Sequence, residues 1–284
     1  MGKSDQRMSR ESMDAIDGSF FSKSLLSMGQ TMSTANVIMQ LANPAVGYGV
    51  ARSKVDSGRL DLHPIKRART TGSYLAVAVF GDANDRRRFR QAVNRQHVHV
   101  RSDETSPVEY DAMNTDLQLW VAACLYIGWE DIYERVHGPL AGADRETFYQ
   151  QGKVLGTTLQ MPAEMWPPTR QAFGEYWDRQ TAEISISDEV REFLLGIANF
   201  DHAHPAIKKR YGPVKYRRTI GYLPPPFREA MRVRWTAADQ EWFDGYVDGL
   251  VAAERRKPLW LSQLLFHVLL WDVRLRCRLG RPLV

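Results

Sequence analysis

Residues 64–81, PIKRARTTGSYLAVAVFG, carry the pattern that decides the fold class. Pro64 suits the first turn of a helix, where its missing N–H leaves nothing unsatisfied. From Tyr74 to Phe80 the chain is almost wholly apolar and does not alternate, which fits a helix buried on most sides, and Gly81 ends it. Residues 85–100 follow as an amphipathic helix, with Phe89, Ala92, Val93, Gln96 and Val100 on one stripe.

The same signals recur outward from this pair. Asn114 or Thr115 caps a helix carrying Leu117, Trp120, Cys124 and Ile127, which stops at Gly138-Pro139. Further helices are predicted over residues 145–155, 168–183 and 188–198. Thr236 and Asp239 form a capping box for a helix to about residue 256, and a last helix runs over 258–278. Residues 41–58, interrupted by Pro44, Gly47 and Gly49, read as a loop, and Tyr222-Leu223-Pro224-Pro225-Pro226 as a rigid connector. Strand alternation is scarce, so the class is all-α.

With 44% hydrophobic and 25% charged residues, the 284-residue chain has the composition of an ordinary globular protein. Residues 1–18 are polar and read as a flexible tail, leaving 19–284 as one domain without repeats or linkers. No apolar leader follows a charged start, and the longest apolar stretch, 258–271, is too short to span a bilayer. These features predict a cytoplasmic protein. Cys124 and Cys277 are the only cysteines and belong to no CxxC pattern, which argues against a disulfide scaffold, a zinc ribbon or an iron–sulfur cluster. The net charge of +5 is concentrated in Arg255-Arg256-Lys257 and in Arg274, Arg276, Arg278 and Arg281. A solvated basic face is the simplest reading of these clusters, and peripheral membrane contact is compatible with them. No helix-turn-helix or RNA-binding signature points to nucleic acid.

Among the seven histidines, His202-Ala-His204 lacks an identifiable third metal ligand. His97 and His99 ride the amphipathic helix at roughly 80° to either side of its apolar stripe, so periodicity does not choose between them. Arg67 and Thr71, four residues apart, share a helix face.

Read together, these segments resemble one family. Arg67-Ala-Arg-Thr-Thr71-Gly-Ser-Tyr74-Leu75, then Val79-Phe80-Gly81, is similar to the Arg-x-x-x-Thr helix and Phe-Gly turn of the MpaB/rubber-oxygenase catalytic domains. Val93 with His97-x-x-Val100 resembles their histidine helix, and Tyr110-Asp-Ala, Asp116 and Leu119-Trp120-Val121 their Tyr-x-Ala…Leu-x-Trp-Val segment. Gly138-Pro139-Leu140, Tyr149, Leu155-Gly156, Pro167-Pro168-Thr169-Arg170 and Tyr222-Leu223-Pro224 with Phe227-Arg228 follow in the family's order.

The resemblance implies a globin-like helical domain holding heme b, with a histidine as proximal iron ligand. It further implies activation of O2 to cleave a carbon–carbon double bond in an isoprenoid. It selects His97 as the metal ligand and places Arg67 and Thr71 beside the heme as cofactor-binding and catalytic residues. Arg67 would pair with a propionate or act on the oxygen side. The chain departs from rubber oxygenases in carrying Thr70 where they have lysine, and no residue matches their acidic base, Asp56 and Asp61 being only nearby carboxylates. The expected substrates are therefore O2 and a small apolar molecule, with heme or lipid binding without turnover as the alternative.

Overall fold

The computed structural model of the protein describes residues 16–53 and 62–284. Most of the expected tail, together with Asp56 and Asp61, lies outside the described residues. Two 3-10 segments, Phe21–Ser24 and Ser27–Met32, lead into α1 (Ser33–Leu41). α2 (Pro44–Ala51) stands where a loop was expected. The side chain of Asn43 accepts from the Ala45 and Val46 N–H groups and Pro44 occupies the first turn, so the pair that reads as a break starts a helix. Gly47 permits a close approach: a Cβ there would meet the Leu41 carbonyl oxygen at 2.6 Å.

α3 (Pro64–Phe80) and α4 (Ala83–His97) are joined by Gly81 and Asp82, and Asp82 and Asp85 form a capping box at the turn. The two helices run antiparallel. Arg86 Nε donates to the Ala78 carbonyl and the Tyr74 and Phe89 rings lie 6.5 Å apart, so positions equidistant from the turn face each other. α5 (Thr115–His137), capped by Asn114, threads the centre of the molecule. After it come α6 (Gly142–Gly152), α7 (Val154–Thr157), α8 (Arg170–Ala182) and α9 (Asp188–Ala198).

α10 (Pro205–Tyr222) has no counterpart in the sequence reading. Its cations and the Gly212-Pro213 pair obscure helical periodicity, yet His204 caps it through Ala206 N–H and Pro205 takes the first turn. Within the expected connector begins the short α11 (Pro225–Ala230), and α12 (Ala237–Arg255) starts on the predicted capping box. The last helix divides at Gln263 into α13 (Leu259–Ser262) and α14 (Leu264–Arg278).

The main core surrounds α5. The Tyr126 ring meets Phe148, Tyr149, Trp166 and Phe173 at centroid distances of 5.0–6.1 Å. Beside it, the buried Glu130 accepts two 2.8 Å bonds from Arg170 and one from the Tyr126 hydroxyl, tying α5 to α8. In a second cluster, Trp120 stacks on Trp177 and Phe227 next to residues of α1 and α9. α14 packs along α3, where a Cβ on Gly72 would meet Leu269 at 2.7 Å. The only β pairing among the described residues is a single bridge, Arg101–Asp111. No helix among them is long and apolar enough to cross a membrane.

Candidate functional site

The α3–α4 hairpin positions two of the expected residues. At 1.5 Å per residue, Arg67 and His97 each lie about 20 Å from the turn and so meet at the same open end. The Arg67 guanidinium is half-buried, and burial lowers its pKa. No carboxylate or hydrogen-bond acceptor engages it among the described residues. His97 is the last residue of α4. Burial first, and the Arg67 charge second, push its pKa down to about 4. Its Nδ1 is buried without a hydrogen-bond partner among the described residues. The imidazole is thus neutral at pH 7, with a lone pair available to a ligand or metal.

His99, two residues further, is exposed. Thr71 is exposed as well, one turn beyond Arg67 on α3. The hairpin therefore unites Arg67 with His97 and leaves Thr71 at the surface.

Around the end of α4 the structure adds polar residues that sequence reading did not single out. Asn94, one turn before His97, donates from Nδ2 to Gln160 Oε1 (2.8 Å), while its own Oδ1 is buried and unpartnered among the described residues. Gln160 in turn donates to the Met113 carbonyl at 3.1 Å. Gln118 donates to the neighbouring Ala112 carbonyl and keeps a buried Oε1 with no partner among the described residues. Asn94 was detectable in principle, being three residues from His97 on one helix. Gln160 and Gln118 arrive from other elements and give no local signal.

Other candidates resolve into structural roles. His204 caps α10, and the His202 ring lies edge-on to Phe200 at 5.9 Å. No group of three or more His, Cys, Asp or Glu able to hold a metal occurs among the described residues. Two surface hollows, of about 340 Å³ beside Glu189, Phe193 and His202 and about 420 Å³ beside Asp17, Gly81 and Arg86, do not include Arg67 or His97. What the hairpin end offers is one neutral nitrogen donor next to one unneutralised cation. That pairing suits an anionic cofactor which brings most of its own metal ligands.

Comparison with known proteins bears on this arrangement. The family model described as "ER-bound oxygenase mpaB/B'/Rubber oxygenase, catalytic domain" matches residues 24–252. An uncharacterized protein of Mycobacterium tuberculosis is 47% identical over 253 residues, which is 89% of this chain and 99% of that protein. An uncharacterized protein of Mycobacterium bovis matches with the same identity and coverage. No solved structure matches.

Proposed function

Because the chain belongs to the mpaB/rubber-oxygenase catalytic-domain family, we propose that it is a heme b-dependent oxygenase acting on a small apolar substrate. The observation that carries this reading is the desolvated, unpaired Arg67 beside the neutral, unpartnered His97. A porphyrin supplies four equatorial nitrogens to its iron, so one histidine suffices from the protein, and no cluster of side-chain ligands is needed. Arg67 answers the cofactor's anionic side: its fixed guanidinium fork can hold a propionate by charge-assisted hydrogen bonds.

Heme supplies the centre at which O2 is activated. The chain's own residues do the rest. His97 holds the iron, and its low proton affinity keeps the lone pair free of a competing proton at neutral pH. Arg67 orients the cofactor and directs positive charge toward it. Thr71 is exposed on the same helix, so any contact it made with substrate or cofactor would be from outside rather than in the interior. Cleavage of one C=C bond by O2 into two carbonyl groups is balanced in oxygen and electrons and calls for no external reductant.

Absorption spectroscopy tests the assignment. Reconstituted with heme, the protein is expected to show a Soret band that is lost or shifted in His97→Ala and kept in His99→Ala. The reverse pattern would sink it. The exposure of Thr71 and the Thr70 substitution favour one alternative, heme binding without turnover. Oxygen uptake with aldehyde or ketone formation from short isoprenoids separates the two.

A further inference from the structure

We propose that the face built by α13, α14 and the start of α3 docks the protein on an anionic lipid surface. α14 has two apolar sides. Phe266, Leu270 and Val273 are buried, with the Phe266 ring 6.5 Å from Phe80 of α3. At about 100° per residue, Leu264, Val268 and Trp271 share the opposite side, and all three are exposed. α13 continues this surface with Leu259, Trp260 and Leu261; Trp260 and Trp271 are each 64% exposed. Near the other end of α14, Arg69 of α3 reaches Asp272, so Ile65, one turn earlier and 85% exposed, extends the patch beside Leu279. Solvated apolar surface of this extent is unusual on a protein that meets only water.

The charge around the patch identifies the occupant. Residues 255–284 hold seven Arg or Lys and a single carboxylate, Asp272. That carboxylate is already engaged by Arg69 and Arg276. Arg256, Arg278 and Arg281 are exposed without an ion pair among the described residues. A second copy docking through a two-fold axis would press this cationic edge against itself. A bilayer with anionic headgroups matches every part of it. The aliphatic side chains enter the acyl boundary, the two Trp sit at headgroup level, and the flanking cations meet phosphates. Contact would be peripheral, since no described helix can span the bilayer. α13 and α14 lie beyond residue 252, where the family match ends, and none of the patch residues is one that the heme reading uses, so the proposal does not depend on that reading.

Cosedimentation of the full chain with vesicles tests the proposal. Phosphatidylcholine vesicles containing about one-third phosphatidylglycerol should pull the protein down and release it at high salt, whereas phosphatidylcholine alone should not. Trp260→Ser with Trp271→Ser should weaken binding by at least about tenfold, because both apolar anchors are lost. Circular dichroism checks that the variant is folded, and Leu264→Ser with Val268→Ser serves in its place if it is not. A folded wild-type protein that ignores anionic vesicles, or variants that bind as well as wild type, would overturn the idea. So would equal binding to neutral vesicles. A dimer in analytical ultracentrifugation that the double Trp variant dissolves would assign the face to a second copy instead.

Discussion

Arg67 should destabilise the protein that carries it until a cofactor arrives, so replacing it should move stability and heme affinity in opposite directions. Methionine is the informative replacement, because its length and helix propensity are close to those of arginine while its side chain needs no counter-charge. In the cofactor-free protein, the half-buried guanidinium is desolvated and meets no acceptor among the described residues, and the neighbour that feels its charge is the neutral His97. Unpaired burial of this partial kind costs about 1–2 kcal/mol, less than the penalty of a fully buried ion. Arg67→Met should therefore raise the urea midpoint of the cofactor-free protein by an amount equivalent to about 1 kcal/mol or more. Heme affinity should fall. A charge-assisted hydrogen bond to a carboxylate is worth about 1.5–3 kcal/mol, which is roughly a 10- to 150-fold rise in the dissociation constant. Arg67→Lys should recover part of the affinity but not the bidentate geometry. Urea unfolding and a Soret titration on the same preparations decide the matter. A cofactor-free Arg67→Met protein less stable than wild type would show that Arg67 already has a partner in the fold, and the reasoning would fail.

Three further outcomes follow from paired groups elsewhere. Arg170→Met strands the buried Glu130 and should cost about 3–5 kcal/mol in thermal or urea unfolding; adding Glu130→Gln should return part of that loss, whereas strict additivity would refute the pairing. Burial alone would raise the Glu254 carboxyl, but donors from Ser262, Lys257 and Ser27 outweigh it and hold its pKa below the usual value. A depressed carboxyl adds stability above its unfolded pKa of about 4.3 and loses it as pH falls through the folded value, so Glu254→Gln should flatten the acid limb of a stability profile taken from about pH 6 to pH 3. Phe200, at φ 61°, follows the end of α9 in the left-handed region usually given to glycine, with Lys215 Nζ 4.1 Å from its ring centroid. Phe200→Ala loses the ring and keeps the strain, while Phe200→Gly loses both, so the glycine variant should be the more stable by about 1 kcal/mol in chemical denaturation.

The helices that frame the site were legible because their ends are written locally. Pro64 and Gly81, the Asp82–Asp85 box, Asn114 and Thr236 each fix a boundary within four residues of chain. α2 and α10 escaped for the complementary reason. Pro44 and Pro205 look like interruptions unless the preceding Asn43 and His204 are recognised as caps, and the glycines of α2 answer to neighbours distant in sequence, such as Tyr110 and Val190. The site itself was half legible. The spacing of Arg67 from Thr71 indicated a common face, but helix neighbours differ by about 40° at four residues, enough for one to turn inward and the other to solvent at the rim of the hairpin. His97 and His99 were equivalent on their own helix. In the structure α4 ends at His97 and His99 falls in the turn beyond it, an end that the apolar stripe of residues 85–100 does not mark.

The unpaired state of Arg67 gains its meaning from the rest of the molecule. The charged residues most deeply buried among those described are Asp85, Arg86, Glu130, Lys215 and Glu254, and each is matched. Asp85 accepts from Arg274, and Arg86 donates to the carbonyls of Ala78 and Ile16. Glu130 holds Arg170, Lys215 donates to the Ile197 carbonyl, and Glu254 gathers Ser27, Lys257 and Ser262. A sequence able to satisfy those groups, drawing partners from as far as 227 residues away, could have placed an acceptor beside Arg67. Instead that cation faces a histidine whose Nδ1 is also left without a partner. Local rules are most often broken where function requires it. This break falls at two of the three positions, Arg67, Thr71 and His97, that the family resemblance assigns to the cofactor, while Thr71 lies exposed.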